Sequence, residues 1–247
     1  KGILHFEASF PVPDAPFASL CGGERANMVC ALASAGGVRD PRGHEAFGLA
    51  LENGSLVSRG VSAHASTPEE GKNALEPLLA FFAAQNADVR RAHDILFADV
   101  LGLKRFRDET GGLTMSPNVA SFSDGVLRVI TDIRYPATMK SEQIVALLGG
   151  AGVDYRLLHC QDPLFNDKNG ELIRTLLGVY EEATGEKAEP LAIGGGTYAR
   201  ALKNGAGFGP QFAGEPSTIH RADEYITLEN IKKLSRIYYT AIERLTR

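Results

Sequence analysis

The chain has 247 residues, 44% of them hydrophobic and 23% charged, with a formal net charge of −4. That balance fits one large folded domain or two smaller ones. It lacks any Lys/Arg-rich block, which argues against a nucleic-acid partner, and any apolar run of membrane-span length. Cys21, Cys30 and Cys160 are scattered and odd in number, so they suggest buried thiols in a reducing, cytoplasmic setting, not a disulfide framework or a zinc site. The first residue is Lys1, not methionine. The chain is therefore expected to be a processed or excised piece of something longer.

"GILHFEASF" opens the chain as a strand that "PVPDAP" stops, because proline removes ladder donors. "NMVCALA" reads as a second strand. "HEAFGLALENGSLVSRGVSAHA" reads as two strands around a turn at Asn53-Gly54. A helix should follow, with Thr67 as N-cap, Pro68 as first residue and Glu70 completing a capping box. Ala74, Leu75, Leu78, Leu79 and Phe82 keep its helical spacing, and Pro77 should kink it. Another helix is expected over residues 87–101. "GVLRVITDIRYP" (125–136) is a β-branched, alternating strand, followed by a helix over 141–149 and a strand at "VDYRLLHC".

Strand, helix, strand thus occurs twice between residues 20 and 160. This predicts an α/β fold: two related units, each an antiparallel sheet with helices on one face. Residues 161–168, "QDPLFNDK", read as a connector to a distinct segment, 161–247. There a helix over 169–183 precedes "AEPLAIGGGTYAR", read as strand, glycine turn and helix. The final helix begins near Thr227, with Leu228, Ile231, Leu234, Tyr238, Ala241, Ile242 and Leu245 as its apolar stripe. This segment has too few strands to close a sheet, and reads as part of a larger α/β domain.

Five stretches could carry chemistry. In "STIHRADEYI", His220 could ligate a metal with Asp223 or Glu224 orienting the ring, or be a surface histidine beside a helix start. In "GGGTYAR", Gly195, Gly196 and Thr197 could bring backbone N–H groups to an anion, or form a tight turn; nucleotide-binding spacings are absent. Arg134 could fork a carboxylate, or pair with Asp132 at the surface. Asn27 could donate to a carbonyl or oxyanion, or serve the turn after Gly22-Gly23. His64 could donate to a developing oxyanion, or be a solvated histidine in a turn. Ser66 as its nucleophilic partner is disfavoured, because residues two apart on an extended strand do not face each other and no GxSxG elbow exists.

Taken in order, "NMV", "GVSAHASTPEEGKNAL", "DIRYP", "GGGTYAR" and "HRADEYI" resemble the dinuclear zinc peptidase superfamily of aminoacylases, carboxypeptidase G-type enzymes and peptidase V-type dipeptidases. The peptidase V branch is the best match. The resemblance implies a lid of two ferredoxin-like units over 1–160 and the C-terminal part of a catalytic domain over 161–247. It implies that the complete enzyme cleaves dipeptides with water activated by two zinc ions, manganese or cobalt being alternatives. It implies that His64 stabilises the oxyanion, Asn27 contacts the substrate, and Arg134 binds its carboxylate. Gly195, Gly196 and Thr197 would flank its C-terminal end, and His220 would ligate one metal. The family's "HxD" motif, acidic pair and general-base glutamate have no match here. His5, His44, His93 and His159 lack the context of ligands, and Cys30 stands where relatives often have proline. The resemblance therefore implies an N-terminal catalytic half outside this chain, a small peptide substrate, and a monomer or homodimer. A non-catalytic binding or dimerisation module of the same fold is the competing reading.

Overall fold

The computed structural model describes residues 1–202, 204–216, 218 and 223–247. The chain forms two compact units, Lys1–Pro163 and Leu164–Arg247.

The first unit is built on one eight-stranded antiparallel sheet in the order β10-β1-β9-β8-β2-β3-β5-β4. Its strands are β1 (Gly2–Pro11), β2 (Ser19–Gly22), β3 (Leu32–Gly36), β4 (Ala50–Glu52), β5 (Ser55–Arg59), β8 (Thr114–Ser123), β9 (Val126–Tyr135) and β10 (Asp154–Gln161). A separate small hairpin joins β6 (Arg107–Asp108) to β7 (Gly111–Gly112). The expected antiparallel sheet is present. The two expected groups of strands, however, form one continuous sheet, because β8 pairs with both β9 and β2.

Alternation along the strands sets what each face carries. Leu4, Phe6, Ala8 and Phe10 of β1 share a buried cluster with Leu127, Val129, Ile133 and Tyr135 of β9. The helices α1 (Leu75–Ala83), α2 (Ala87–Leu96) and α3 (Ser141–Gly150) add Leu78, Leu79, Phe82, Val89, Ile95, Ile144 and Leu148 to it. The residues between, His5 on β1 and Asp132 and Arg134 on β9, project from the opposite face.

Several local expectations change. Asn53 and Gly54 do make the β4–β5 turn, both with positive φ. The strand expected at "NMVCALA" starts only at Leu32; the segment before it is bound by isolated backbone bonds. No helix starts at Thr67. Pro68–Glu70 is a single 3-10 turn, and the Thr67 side chain caps nothing. Gly71 is extended, and Lys72 pairs with Val61 through N–H···O bonds of 2.8 and 2.9 Å, so the turn cannot propagate. α1 begins at Leu75, whose N–H donates to the Asn73 side chain. Pro77 then falls in the first turn, where its missing N–H has no partner to lose. α2 stops at Leu96, short of residue 101, and the Asp99 carboxylate accepts the N–H groups of Leu103 and Lys104 beyond it.

The second unit packs α4 (Glu171–Thr184) on α5 (Leu228–Leu245). Thr227 caps α5 by accepting the Asn230 N–H at 3.1 Å. Of the expected stripe, Leu234 and Ala241 are buried, joined by Ile237. Leu228, Ile231, Ile242 and Leu245 are exposed, as are Leu191, Ile193 and Tyr198. The strand expected in "AEPLAI" finds no ladder partner among the described residues, and the helix after the glycines is one 3-10 turn, Tyr198–Ala201.

Asp108 ties the β6–β7 hairpin to the segment after β9. It accepts the N–H and hydroxyl of Thr110, and the N–H and hydroxyl of Thr138. Burial opposes its charge, but these hydrogen bonds outweigh it and hold the carboxyl at about 2, below its ordinary 3.8. A carboxylate depressed in the folded state adds stability that is complete above about pH 4. That stability is lost as pH falls through the folded value. Urea midpoints measured from pH 5 to pH 2 should therefore decline less steeply for Asp108→Asn than for the unmodified chain.

Candidate functional site

His64 and Asn27 come together through the backbone. The segment before β3 runs antiparallel to the loop after β5. Val29 N–H donates to Ala63 at 2.9 Å, Ala65 N–H to Asn27 at 3.0 Å, and Met28 bridges His64. Gly60 N–H donates to Ala31 and Ala74 N–H to Cys30, both at 2.8 Å, and these bonds fasten the clasp at its Cys30–Ala31 end. Gly60 is required by close approach: a Cβ there would lie 1.9 Å from the Lys72 carbonyl oxygen. Asn27 is exposed and His64 half-buried.

A residue that sequence reasoning passed over supports this clasp. Asn118 is fully buried in β8, where the register with β9 shifts between Pro117 and Val119. Its Nδ2 donates to the Ala26 carbonyl and its Oδ1 accepts the Ser116 hydroxyl, both at 2.6 Å. Asn73 Nδ2 donates to the Pro117 carbonyl, also at 2.6 Å. Gly23, at φ 72°, lets the turn before Asn27 lie against Asn118, where a Cβ would meet its carbonyl oxygen at 1.8 Å. The signal was available: proline within "TMSPNVASFS" marks a bulge.

The His64 ring folds over its own turn. Residues 64–67 are not extended: Thr67 N–H donates to the His64 carbonyl at 3.0 Å. Ser66 Oγ lies 2.7 Å from His64 Nδ1, and Ser66 N–H donates to the same nitrogen at 3.1 Å. The expectation that His64 and Ser66 would not face each other is thus corrected. It assumed a strand where the chain turns.

Arg134 is not at the surface. It is buried in β9, and its guanidinium grips Asp132 with Nε on Oδ1 at 2.6 Å and Nη2 on Oδ2 at 2.7 Å. This is a bidentate fork of the kind arginine alone provides. His5 Nε2 lies 2.8 Å from Asp132 Oδ2 on the neighbouring strand. Asp132 is fully buried, and burial disfavours its charge. His5 and Arg134 outweigh that, so its carboxyl titrates below the ordinary value of 3.8.

Gly195, Gly196 and Thr197 lie in the second unit, in a loop without regular structure until Tyr198. Thr197 Oγ1 accepts the Ala199 N–H at 3.3 Å, and Arg200 Nη2 donates to the Gly195 carbonyl at 3.2 Å. Gly196 and Thr197 are exposed. His220 lies outside the described residues. Among the described residues, no group of three or more His, Cys, Asp or Glu side chains could hold a metal ion. The described donors therefore do not fit a dinuclear metal site. Nor is any helix among them long and apolar enough to cross a membrane. The cysteines are free; Cys30 is buried, and burial pushes its thiol up to about 11.

Residues 21–244 match the model of peptidase family M20/M25/M40, and the chain belongs to that family. Over 96% of its length it is 33% identical to the Bacillus subtilis (strain 168) protein named "Putative dipeptidase YtjP", of which the match covers 53%. It is 30% identical to the Beta-Ala-Xaa dipeptidase of Lactobacillus delbrueckii subsp. lactis, over 81% of this chain and 46% of that one. The chain thus spans about half the length of the curated relatives it matches. Among solved structures, the aminoacylhistidine dipeptidase from Vibrio alginolyticus aligns with a TM-score of 0.39 and 15% identity, over 79% of this chain and 51% of that one.

The Asp132–Arg134 pair yields a stability prediction. Asp132→Ala leaves a buried guanidinium without its fork partner, which costs about 3–5 kcal/mol. Denaturant titration of the variant should show that loss in full, with little change in the slope of the transition.

Proposed function

We propose that this chain is the substrate-binding lid, over 1–160, and the C-terminal part of the catalytic domain, over 161–247, of a metal-dependent dipeptidase. The observation that carries the reading is the clasp between Asn27 and His64. Residues far apart in sequence, His64 assigned to the oxyanion and Asn27 to substrate contact by the family resemblance, lie on neighbouring backbone segments joined by hydrogen bonds. The family match and the dipeptidase names of the relatives support the same class.

In this reading His64 donates to the oxygen of the attacked carbonyl as it gains negative charge. A donor fixed before reaction needs no reorganisation at that moment. Asn27 contacts the substrate beside it. Arg134 is assigned to the substrate's terminal carboxylate by the family resemblance; Asp132 holds its Nε–Nη2 edge and so fixes its orientation. Gly195, Gly196 and Thr197 flank the same end, with backbone groups for the peptide to meet. The metal centre, two zinc ions with manganese or cobalt as alternatives, is assigned to an N-terminal catalytic half, and His220 is this chain's single ligand to it. The exposed apolar residues of α5 and of the loop before Tyr198 support a partner segment for the second unit. Three scattered cysteines, odd in number, support a cytoplasmic location.

The test is His64→Ala in the full-length enzyme. Removing one oxyanion donor should lower kcat by roughly two to three orders of magnitude, with a smaller effect on KM. An unchanged kcat would overturn the role. A companion test is a calorimetric zinc titration of this chain in chelator-treated buffer. Weak or undetectable binding is expected from a single ligand, and tight stoichiometric binding would move the metal centre into these residues.

A further inference from the structure

We propose that Ser66 is a positioning residue that holds the His64 ring in one tautomer, with the proton on Nε2 and the lone pair on Nδ1. The argument starts from the backbone. The Ser66 N–H can only donate, and it is aimed at Nδ1 at 3.1 Å. A hydrogen on Nδ1 would point into that N–H, so Nδ1 carries its lone pair. The Ser66 hydroxyl, 2.7 Å from the same nitrogen, then turns its own proton towards the ring. A neutral imidazole with an accepting Nδ1 must carry its hydrogen on Nε2. The far edge of the ring is thereby fixed as a donor, the only form in which a neutral His64 can serve an oxyanion through that edge.

The turn makes this a built arrangement. Thr67 N–H closes back onto the His64 carbonyl, and Ala65, fully buried between the two residues, donates its N–H to Asn27. Those bonds leave the Ser66 side chain and N–H on the ring's side of the turn. The same contact could be read as a serine nucleophile with a histidine base. The backbone N–H argues against it: Nδ1 shares its lone pair between that N–H and the hydroxyl, which makes it a weaker base for the hydroxyl proton.

The catalytic meaning of this proposal rests on the role given to His64 above, so its first test needs no activity. The chain is labelled with 15N-histidine, and two-bond 1H–15N correlation reads the tautomer of each ring. His64 should show the Nε2–H form. Ser66→Ala keeps the backbone N–H but loses the hydroxyl donor to Nδ1, so it should raise the Nδ1–H population while Nε2–H stays the major form, and Ser66→Thr, which keeps the hydroxyl, should restore the original pattern. In the full-length enzyme Ser66→Ala should lower kcat roughly five- to tenfold with KM little changed. An Nδ1–H tautomer in the unmodified chain, or a tautomer unaltered in Ser66→Ala, overturns the proposal. Covalent capture of Ser66 by a fluorophosphonate would overturn it in favour of a nucleophile. A tautomer that responds as expected, alongside a His64→Ala enzyme of normal kcat, would instead overturn the oxyanion role of His64.

Discussion

The first unit depends on a strip of backbone that belongs to no regular strand. Residues 27–31 exchange N–H···O bonds with residues 60–65 and 74, outside the eight-stranded sheet but continuous with its β3–β5 edge. Such a clasp has few side-chain requirements beyond room for close approach, which Gly60 supplies. It needs its own support, because a short isolated ladder is only marginally stable. Asn118 gives that support from the bulge in β8, fastening the Ala26 carbonyl from within the core. Sheet, bulge, clasp and histidine turn therefore form one chain of dependence. A fault in β8 would be felt at His64 without touching it.

The two faces of the sheet divide the work. The helix-covered face is a conventional apolar core, and it tolerates little but hydrocarbon. The other face of β1 and β9 carries His5, Asp132 and Arg134 in adjacent register. A buried ion pair of this kind gains little net stability over an apolar replacement, since desolvation offsets most of the attraction. At this fully buried position the pair's effect is to fix the geometry of one arginine.

β1, β9, β10, α3 and the β4–β5 hairpin were legible because their periodicity and turn signals are strong, whereas β2 and β8, which join the sheet into one, were not read from the sequence. "GVLRVITDIRYP" alternates over its whole length and becomes β9 almost residue for residue. The helix start at Thr67 was misread because "STPEE" has the local chemistry of a cap, while the deciding force was tertiary: Lys72 is held by Val61. Candidate site residues were named from the sequence as residue types in order, through the family's motifs. The geometry of the site was not legible. The contact between His64 and Ser66 depends on a turn where alternation suggested a strand, and Asn118 gives no sign in the sequence beyond the proline beside it. On α5 the apolar residues were read as one stripe; among the described residues Ile237 and Ala241, with Tyr238 packed against them, join the cluster with Leu176 and Val179 of α4, while Leu228, Ile231, Ile242 and Leu245 stay exposed.

The fork on Arg134 has a consequence for thermodynamic timing. A free arginine side chain samples many rotamers, and a ligand that immobilises one loses about 0.5–1.5 kcal/mol of affinity to that ordering. Here Asp132 imposes the ordering while the chain folds, with His5 holding the carboxylate from the next strand. The conformational cost of ordering Arg134 is thereby met once, as the chain folds. Lysine at this position would keep the charge but not the advantage, because a flexible ammonium cannot be pinned at two atoms by one carboxylate.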